Sequence, residues 1–262
     1  MQLHALTPRQ NEILRLVTQR ASATPQELAE AIGTSPQTIR REIASLHQAK
    51  LLVRFHGGVG PVSEGVRLST ELRKVENRAE KQRMANAAAA HISPGMSIFL
   101  DTGTTMVEVA RALRMVSGIT VFTADVLTAA ELIDQPNKEV HVAGGQLYGS
   151  EGRLVGSEAV ERMREIRVDL AIVGFSGFDA DGTPMDFEVA AAPLKRMLLS
   201  NARDTIAVAD HTKLTRRATV RVVELAVIRR LITDEAPASE FTALLDAAGT
   251  ALEVAERGDG QK

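Results

Sequence analysis

Short apolar segments alternate with helical stretches along most of the chain between residues 97 and 232. This alternation is typical of strand–helix–strand units, whose crossover connections place the strands parallel. It therefore predicts an α/β domain with a mainly parallel sheet, in which ligands bind at the carboxyl ends of the strands. The predicted strands are Ser97–Leu100, Ile119–Phe122, Val140–Ala143, Leu170–Val173, Thr205–Ala209 and Val227–Ile232.

The composition allows a large core and excludes several kinds of chemistry. The 262 residues are 44% hydrophobic, which is enough for two modest domains or one large one. Because there is no Cys, disulfides, thiolate zinc sites and a Cys nucleophile are excluded, and with no Trp and one Tyr an aromatic stacking platform is not expected. No apolar run approaches the roughly 20 residues that span a bilayer. The first ten residues also lack the apolar core of a signal peptide, so we expect a cytoplasmic protein with no membrane partner.

Three helix starts near the beginning of the chain share one capping pattern. Each places a hydroxyl residue before a proline, as Thr7-Pro8, Thr24-Pro25 and Ser35-Pro36. Apolar residues then recur at helical spacing after each start. Gly33 separates the second and third segments, where a left-handed residue would end one helix and permit a tight turn. The pattern predicts a helix-turn-helix.

The third predicted helix, residues 36–48, leaves polar side chains outward near its N-terminal end. In a helix-turn-helix that end enters the major groove of double-stranded DNA, where Gln can read adenine, Arg can read guanine and hydroxyl groups can bind phosphate. The apolar segment 51–58 that follows ends at a glycine pair and predicts a hairpin wing. The candidate DNA-binding residues are Thr24, Thr34, Ser35, Gln37, Thr38, Arg40, Arg41, Arg54 and His56.

An arginine pair on a helix is also typical of a merely solvated face, and for Arg40 and Arg41 alone this alternative stays open. The charge distribution adds a small argument for DNA. Residues 1–60 carry seven Lys and Arg against four Asp and Glu, whereas the rest of the chain carries 24 against 29. A basic N-terminal part followed by an acidic remainder is expected if only the N-terminal part binds nucleic acid.

Several glycine and hydroxyl residues follow the predicted strands. The first strand runs into Asp101-Thr102-Gly103-Thr104-Thr105 and then a helix, whose N-terminal N–H groups would attract an anion. The spacing is neither that of a Walker A loop nor that of a dinucleotide-binding loop, and an ordinary helix cap is an equally good interpretation of this segment. Further strand-end candidates are Gly144, Gly145, Asp210 and Lys213, and Lys195 is expected to be exposed unless its ammonium group turns along the sheet edge.

Longer motifs resemble one family over nearly the whole chain. The stretch from Arg9 to Gly58, which ends in SPQTIRREIASLHQAKLLVRFHGG, resembles the DNA-binding domain of the DeoR family of bacterial repressors. That family has Asp-Leu after the paired arginines, where this sequence has the conservative Glu42 and Ile43. The segments FLDTGTT, HVAGGQL, RLVGSEA, DLAIVGFSGFDADGTPMDF and VADHTKL resemble the effector domain of the same family, which is similar to the ribose-5-phosphate isomerase group of α/β folds.

The resemblance implies an oligomeric repressor of carbohydrate or polyol catabolic genes, a homodimer or homotetramer, that a phosphorylated metabolite releases from DNA. Glycerol 3-phosphate is the favoured effector, and no cofactor is implied. By the same resemblance, the effector site would be formed by Asp101, Thr102, Gly103, Thr104, Thr105, Thr123, Gly144, Gly145, Lys195, Asp210 and Lys213.

The sequence departs from the family pattern at two places near this predicted site. The family usually has Thr-Asn after the second strand, where this chain has Thr123-Ala124-Asp125, so an amide that could bond a ligand hydroxyl is missing. Pro193 stands where a longer polar residue is usual, and a proline there would kink or restart the helix and re-aim Lys195. Both changes put the identity of the sugar or polyol in doubt.

The chain is thus predicted to consist of a winged helix-turn-helix domain (1–60), a linker (61–77) and a larger α/β effector-binding and oligomerisation domain (78–262). We expect the tail, residues 236–262, to form a helix and then fray. The alternative function is a sugar-phosphate isomerase with a DNA-binding head, for which Asp179, Asp181 and Lys195 would be the candidate catalytic groups. A metal-regulated repressor is a weaker alternative, because His91, His141 and His211 lack ligand spacing. We therefore predict no catalytic residue and no metal ligand.

Overall fold

The computed structural model describes residues 6–20, 23–49, 51–55, 58–60, 73, 76–148 and 152–256. Contacts divide the chain into two compact units, Met1–Glu76 and Asn77–Lys262. Of the predicted linker 61–77, residues 73, 76 and 77 are described and the others lie outside the described residues.

The first unit contains the three predicted helices, α1 (Pro8–Arg20), α2 (Pro25–Ile32) and α3 (Pro36–Gln48). Each begins at the predicted cap. Thr7 and Gln10 bond each other's backbone N–H, and Thr24 and Glu27 form the same reciprocal box. Gly33 adopts φ 71°, a left-handed conformation that ends α2 and turns the chain into α3. The predicted helix-turn-helix is confirmed.

A short hairpin completes the first unit. Strand β1 (Val53–Phe55) pairs antiparallel with β2 (Gly58–Gly60), so the predicted wing is confirmed, although Leu51 and Leu52 precede the strand and are buried. Ala23 pairs with Val59, which ties the hairpin to the start of α2. The unit has its own apolar core, formed by Ile13, Leu14, Leu16, Val17, Ala23, Leu28, Ala29, Ile39, Ile43, Leu46, Leu51, Leu52 and Val59.

The second unit is built on a parallel sheet. In the described residues seven strands lie in the order β14-β13-β11-β8-β3-β4-β5, and every neighbouring pair is parallel. These strands are β3 (Ser97–Leu100), β4 (Ile119–Thr123), β5 (Lys138–Val142), β8 (Val168–Gly174), β11 (Ala202–Val208), β13 (Arg230–Thr233) and β14 (Ala251–Val254). The predicted α/β fold class is confirmed.

Helices cover both faces of this sheet. The helices of the second unit are α4 (Arg78–Ala89), α5 (Thr104–Ala112), α6 (Val126–Ala130), α7 (Ser157–Arg164), α8 (Ala192–Ser200), α9 (His211–Leu214) and α10 (Ser239–Ala248). Helices α4 and α5 pack on one face and α7 and α8 on the other, around separate apolar clusters. No helix in the described part of the chain is long and apolar enough to cross a membrane.

Two small antiparallel sheets stand beside the main one and were not predicted. Strands β6 (Gln146–Tyr148) and β7 (Arg153–Val155) form a hairpin. Strand β10 (Pro184–Asp186) pairs with both β9 (Gly177–Phe178) and β12 (Val220–Arg221). Both sheets lie in connections that follow strands of the main sheet, so they add structure near the carboxyl ends of those strands.

The structure corrects two predictions about the last third of the chain. The predicted strand Val227–Ile232 begins only at Arg230, because Leu225–Val227 form a turn of 3-10 helix. The tail does not fray after its helix: α10 ends at Gly249, and β14 then joins the edge of the main sheet beside β13. Residues 257–262 lie outside the described residues.

Candidate DNA-binding surface and effector site

The polar face of α3 is exposed, as the sequence predicts. Gln37, Arg40 and Arg41 are exposed, while Ile39 and Ile43 on the opposite face are buried. Within the described residues, neither arginine of this helix has an ion pair or a hydrogen bond to another side chain. Two cations without an internal partner are therefore presented at the N-terminal half of the helix, which is the part that meets base edges in this motif.

The acidic neighbour of the arginine pair is turned away from this face. Glu42 accepts a hydrogen bond from Gln10 at 2.8 Å, and Arg9 lies 3.7 Å from the same carboxylate. Both partners belong to α1, so Glu42 helps to join α1 to α3 and its charge is partly neutralised there. The exposed face of α3 keeps its positive charge as a result.

The other predicted DNA-binding residues have mixed positions. Ser35 caps α3 by accepting the N–H of Thr38, and the two hydroxyl groups lie 2.9 Å apart on the surface. Thr24 is half-buried and committed to the capping box of α2, and Thr34 is half-buried in the turn. Arg54 is exposed on β1. His56 lies outside the described residues.

In the second unit, the sheet changes direction between β3 and β8. The chain passes from β3 to β4 and β5 on one side, and from β8 to β11, β13 and β14 on the other. Ligands of open parallel sheets bind at such a switch point, beyond the carboxyl ends of the strands. Asp101 follows β3 directly at this point and is buried.

A buried ion cluster occupies the switch point. The ammonium group of Lys195, on α8, lies 2.9 Å from Asp101 Oδ2 and 3.1 Å from Asp186 Oδ2. It also donates to the carbonyl oxygen of Gly174, at the end of β8. Burial alone would lower the pKa of Lys195, but the two carboxylates outweigh burial and hold that pKa above its usual value. The lysine is therefore charged inside the fold.

The expectation that Lys195 is exposed is thus wrong, because its three N–H groups all have partners inside the unit. Of the two effects expected of Pro193, a kink or a new helix start, the structure shows the second. Helix α8 begins at Ala192, so the proline occupies the first turn, where its missing N–H would have no helical acceptor. Pro193 therefore fixes where the helix starts.

A narrow cleft lies beside Asp101 and is lined in addition by Thr102, Gly156, Ala191 and Lys195. Three helices begin at this cleft: α5 just after Thr102, α7 just after Gly156 and α8 just after Ala191. No side chain caps any of these three N-termini. Their first N–H groups have no carbonyl partner in the helix and lie at the positive ends of the helix dipoles. The cleft is therefore suited to an anion.

One polar atom in the cleft wall lacks a partner. Asp101 Oδ2 is engaged by Lys195 and by the N–H of Gly174, whereas Asp101 Oδ1 is buried and has no hydrogen-bond partner among the described residues. A buried carboxylate oxygen without a donor is costly, and a ligand hydroxyl would supply that donor. The cleft thus combines an anion-attracting rim with a hydroxyl acceptor.

Asp125, which follows Ala124 at the end of β4, supports the loop beside the cleft. Asp125 caps α6 by accepting the N–H groups of Leu127 and Thr128, and its other oxygen accepts the N–H of Gly103 at 2.9 Å. Thr123 is buried, and its hydroxyl accepts the N–H of Asp125. Burial is the main influence on Asp125 and raises its pKa. Thr123 and Asp125 therefore hold the loop that carries Thr102.

The glycine pair after β5 has a packing explanation. Gly145 adopts φ 121°, and a Cβ atom there would lie 2.8 Å from the carbonyl oxygen of Val155 on β7. Any larger residue would push the β6–β7 hairpin away. Gly144 and Gly145 are both exposed, so a ligand contact by either stays a prediction.

Asp210 lies at the same edge of the sheet, after β11, and is surrounded by positive charge. Asn77 donates to Asp210 at 3.1 Å, and Thr212 donates both its N–H and its hydroxyl. Burial opposes ionisation, but the nearby charges of Lys213 and Lys81 help to hold the pKa of Asp210 below its usual value. Lys81 was not predicted, because it stands in α4, on an ordinary helical pattern.

His211 gains neighbours that its sequence position does not indicate. Its Nδ1 lies 2.7 Å from Asp234 Oδ2, and its N–H donates to the other oxygen of that carboxylate at 2.6 Å. Glu235 completes a group whose ligand-type atoms all lie within 4.8 Å of one another. The ring nitrogen that faces Asp234 is already hydrogen-bonded, so the arrangement is a His–Asp pair that links α9 to the end of β13.

We expect this pair to make stability depend on pH. Burial would lower the pKa of His211, but the hydrogen bond and charge of Asp234 raise it above its usual value. A raised pKa in the folded state contributes stability that is present below the unfolded pKa and is lost as pH rises through the folded pKa. The free energy of unfolding should therefore fall modestly between pH 6 and pH 8, because the ring is partly exposed. Urea titrations at several pH values should show a smaller slope in His211→Gln, and an unchanged slope in that variant would contradict the assignment.

The residues proposed for an isomerase do not assemble into a catalytic site. Asp179 and Asp181 are exposed in the turn between β9 and β10, where their carboxylates accept the N–H groups of Ala180 and Thr183. Lys195, the third candidate, is held in the buried ion cluster.

A winged helix-turn-helix joined to an α/β unit with an anion-attracting cleft defines a DNA-binding transcriptional regulator with a sensor domain. Residues 9–64 match the family described as "DeoR-like helix-turn-helix domain", and residues 76–235 match "DeoR C terminal sensor domain". The chain belongs to the DeoR family of transcriptional repressors, and the resemblance inferred from the sequence is confirmed.

Similar proteins cover nearly the whole chain. The glycerol-3-phosphate regulon repressor of Escherichia coli (strain K12) is 33% identical over 231 residues, 88% of this chain and 92% of that protein. The HTH-type transcriptional repressor CsqR of the same strain is 35% identical over 239 residues, 90% and 92% of the two chains. The HTH-type transcriptional repressor GlcR of Bacillus subtilis (strain 168) is 31% identical, over 95% and 96%.

Solved structures share part of the architecture. A D-ribose-5-phosphate isomerase in complex with phospho-erythronic acid is similar with a TM-score of 0.40 and 17% identity, over 53% of this chain and 54% of that one. A probable sor operon regulator from Shigella flexneri has a TM-score of 0.39 and 14% identity, over 65% and 89% of the two chains.

Proposed function

We propose that this repressor controls carbohydrate or polyol catabolic genes and that a phosphorylated metabolite bound in the α/β unit relieves the repression. The observation that carries the proposal is the cleft at the sheet's switch point, where three uncapped helix N-termini surround a buried carboxylate oxygen without a donor. A phosphate group would accept hydrogen bonds from the helix N-termini, and a ligand hydroxyl would donate to the carboxylate oxygen. The effector must bind the DNA-free state more tightly than the operator-bound state.

Within this site, the predicted residues take different roles. Thr102, Gly103, Thr104 and Thr105 carry the N-terminus of α5 to the ligand, and Asp101 accepts a hydroxyl. Lys213 and Lys81 add positive charge near Asp210, which lies two strands from Asp101. Two strand spacings amount to roughly 10 Å. Lys195 positions Asp101 and does not itself reach the ligand, because its donors are all engaged.

Glycerol 3-phosphate is the first effector to test. Three of the similar proteins are named for the glycerol-3-phosphate regulon. Ala124 lacks the usual amide and Asp125 keeps the loop in place, while Asp101 offers the acceptor for the ligand hydroxyl. A different phosphorylated sugar would be recognised in the same way, through the helix N-termini and Asp101.

Calorimetric titration tests the effector site. Glycerol 3-phosphate should release heat on binding, and unphosphorylated glycerol should not. Lys213→Met should weaken binding roughly 10- to 100-fold, because a hydrogen bond to a charged group contributes about 1.5–3 kcal/mol. Arg203→Met, which removes an exposed cation from the N-terminal end of β11, is the matched control and should bind like the wild type. Equal affinities in the two variants would contradict the proposed site. If no phosphate ester released heat on titration, a phosphorylated effector would be ruled out.

We further propose that the chain acts without catalysis and as a homodimer or homotetramer. Two observations support action without catalysis. Asp179 and Asp181 lie in an exposed turn, and Lys195 is held in a buried ion cluster. The homo-oligomer is supported by the helix-turn-helix, because such heads bind paired half-sites whose symmetry matches that of the protein.

A further inference from the structure

The two edges of the parallel sheet differ in what they expose. At one edge, Glu253 of β14 is engaged by His91 at 2.7 Å and by Arg230 at 3.3 Å. At the other edge, no described strand pairs with the outer side of β5. An open edge strand offers unpaired backbone N–H and C=O groups to another chain.

Apolar side chains gather around the open edge. Of the nine large apolar side chains that the described residues expose, five belong to β5, β6, α6 and the turn after α6. Helix α6 contacts both β5 and β7, so these elements are neighbours. We call them the edge surface, which consists of the outer side of β5 together with Val126, Ile133, Val142, Leu147 and Tyr148.

The hairpin within this surface is poorly covered by its own chain. Leu147 and Tyr148 are consecutive in β6 and therefore project to opposite faces of the strand. Both are nonetheless more than half exposed, at 54% and 52%. A two-stranded hairpin with apolar side chains exposed on both faces has little stability of its own, so a covering surface would stabilise it.

The sequence of β5 is complementary to itself in an antiparallel arrangement. A two-fold axis at Val140 would place Glu139 opposite His141 of the second copy, and the reverse pair on the other side of the axis. Within one chain these two side chains already lie on one face and approach to 2.9 Å. Opposed pairs of this kind stabilise antiparallel strands, whereas like charges opposite each other destabilise them. The strand therefore suits a second copy of this chain.

We propose that the edge surface is an isologous interface between two copies of this chain, built on antiparallel pairing of their β5 strands. The inference rests on the proposed function, because paired operator half-sites require a symmetric protein. It also connects the interface to the effector cleft. Arg153, Leu154 and Val155 of β7 line the cleft, while β6 of the same hairpin carries the interface side chains.

Two matched variants test the interface. Val142 and Val254 are the last residues of the two edge strands and are 43% and 40% exposed. In sedimentation equilibrium of the full chain, Val142→Lys should raise the dimer Kd about 10-fold or more, because the axis at Val140 places residue 142 opposite Lys138 of the second copy and like charges would then face each other twice. Val254→Lys should leave the Kd close to the wild-type value. Circular dichroism and thermal melting establish that both variants are folded.

A charge exchange tests the strand arrangement. Glu139→Lys should weaken association, because a lysine cannot accept a hydrogen bond from His141, and adding His141→Glu should restore it, because a Lys–Glu pair then replaces the Glu–His pair. Equal effects of Val142→Lys and Val254→Lys, no recovery in the double variant, or a monomeric wild type at micromolar concentration would each overturn the proposal.

A DNA measurement separates this proposal from the proposed function. If the interface is correct, Val142→Lys should lose the advantage of a two-half-site operator over a single half-site, yet release the same heat as the wild type on binding the phosphate ester. A dimer that is intact but binds neither operator nor phosphate ester would contradict the proposed function and leave the interface standing.

Discussion

Replacing both Arg40 and Arg41 with alanine is expected to weaken operator binding by about 100-fold or more. Each arginine on the exposed face of α3 can contribute about 1–3 kcal/mol through a base contact, and neither has a partner within the described residues of the free protein. The double variant should also lower the dependence of log Kd on log salt, because fewer counterions are released. Fluorescence anisotropy with labelled operator at several salt concentrations measures both quantities.

The matched control is Arg162→Ala with Arg164→Ala, which removes two exposed arginines from α7 in the other unit. It should bind operator with the wild-type affinity and salt slope. If both double variants bound like the wild type, α3 would not be the recognition helix. If they lost affinity equally, binding would depend only on total charge.

Lys195→Met is expected to cost about 3–5 kcal/mol of unfolding free energy. The change leaves the carboxylates of Asp101 and Asp186 buried without their shared cation, which is the costly way to break a buried ion pair. Chemical denaturation at pH 7 measures the loss. The cost should shrink as pH falls, because burial raises the pKa of Asp186 once the charge of Lys195 no longer lowers it, and a protonated Asp186 needs no cation.

Arg203→Met is the control for removing a cation and should cost less than about 1 kcal/mol, since Arg203 is exposed and its ion pair with Asp169 lies at the surface. Adding Asp101→Asn and Asp186→Asn to Lys195→Met should recover much of the loss. A single Lys195→Met variant as stable as the wild type would show that the ion cluster does not stabilise the fold.

The helix-turn-helix could be predicted in detail because its determinants are local. The caps at Thr7, Thr24 and Ser35 and the left-handed Gly33 each act within one helical turn, and all four behave as predicted. The outward face of α3 follows from the same periodicity. A local prediction of this kind needs no knowledge of which distant residues meet.

The central strands were also predictable, since buried parallel strands are apolar throughout. The edge strand β14 and the hairpin strand β6 were not predictable in this way. Strand β14, Ala-Leu-Glu-Val, alternates small, apolar and acidic residues and has a composition equally suited to a helix. Strand β6 is exposed on both faces and gives no alternation to detect. Their positions depend on pairing with strands that lie far away in the sequence.

The sequence indicated where the candidate site lies but not which charged residues pair within it. Asp101 and the threonine loop could be placed because strand ends of a parallel sheet meet at one edge. The burial of Lys195 could not, because its partners Asp101 and Asp186 come from two other elements. The roles of Lys81 and Arg153 likewise arise only when α4 and β7 pack against the carboxyl edge.

The placement of β14 at the sheet edge has a consequence for the order of folding during synthesis. The first unit has a core of its own, made from contacts close in sequence, so it can fold while the rest of the chain is still being translated. The parallel sheet receives its edge strand β14 from residues 251–254, so it is complete only after those residues have been translated. A chain interrupted before that strand would therefore carry a folded operator-binding head whose effector control is incomplete. We expect such fragments to behave as repressors that do not respond to inducer.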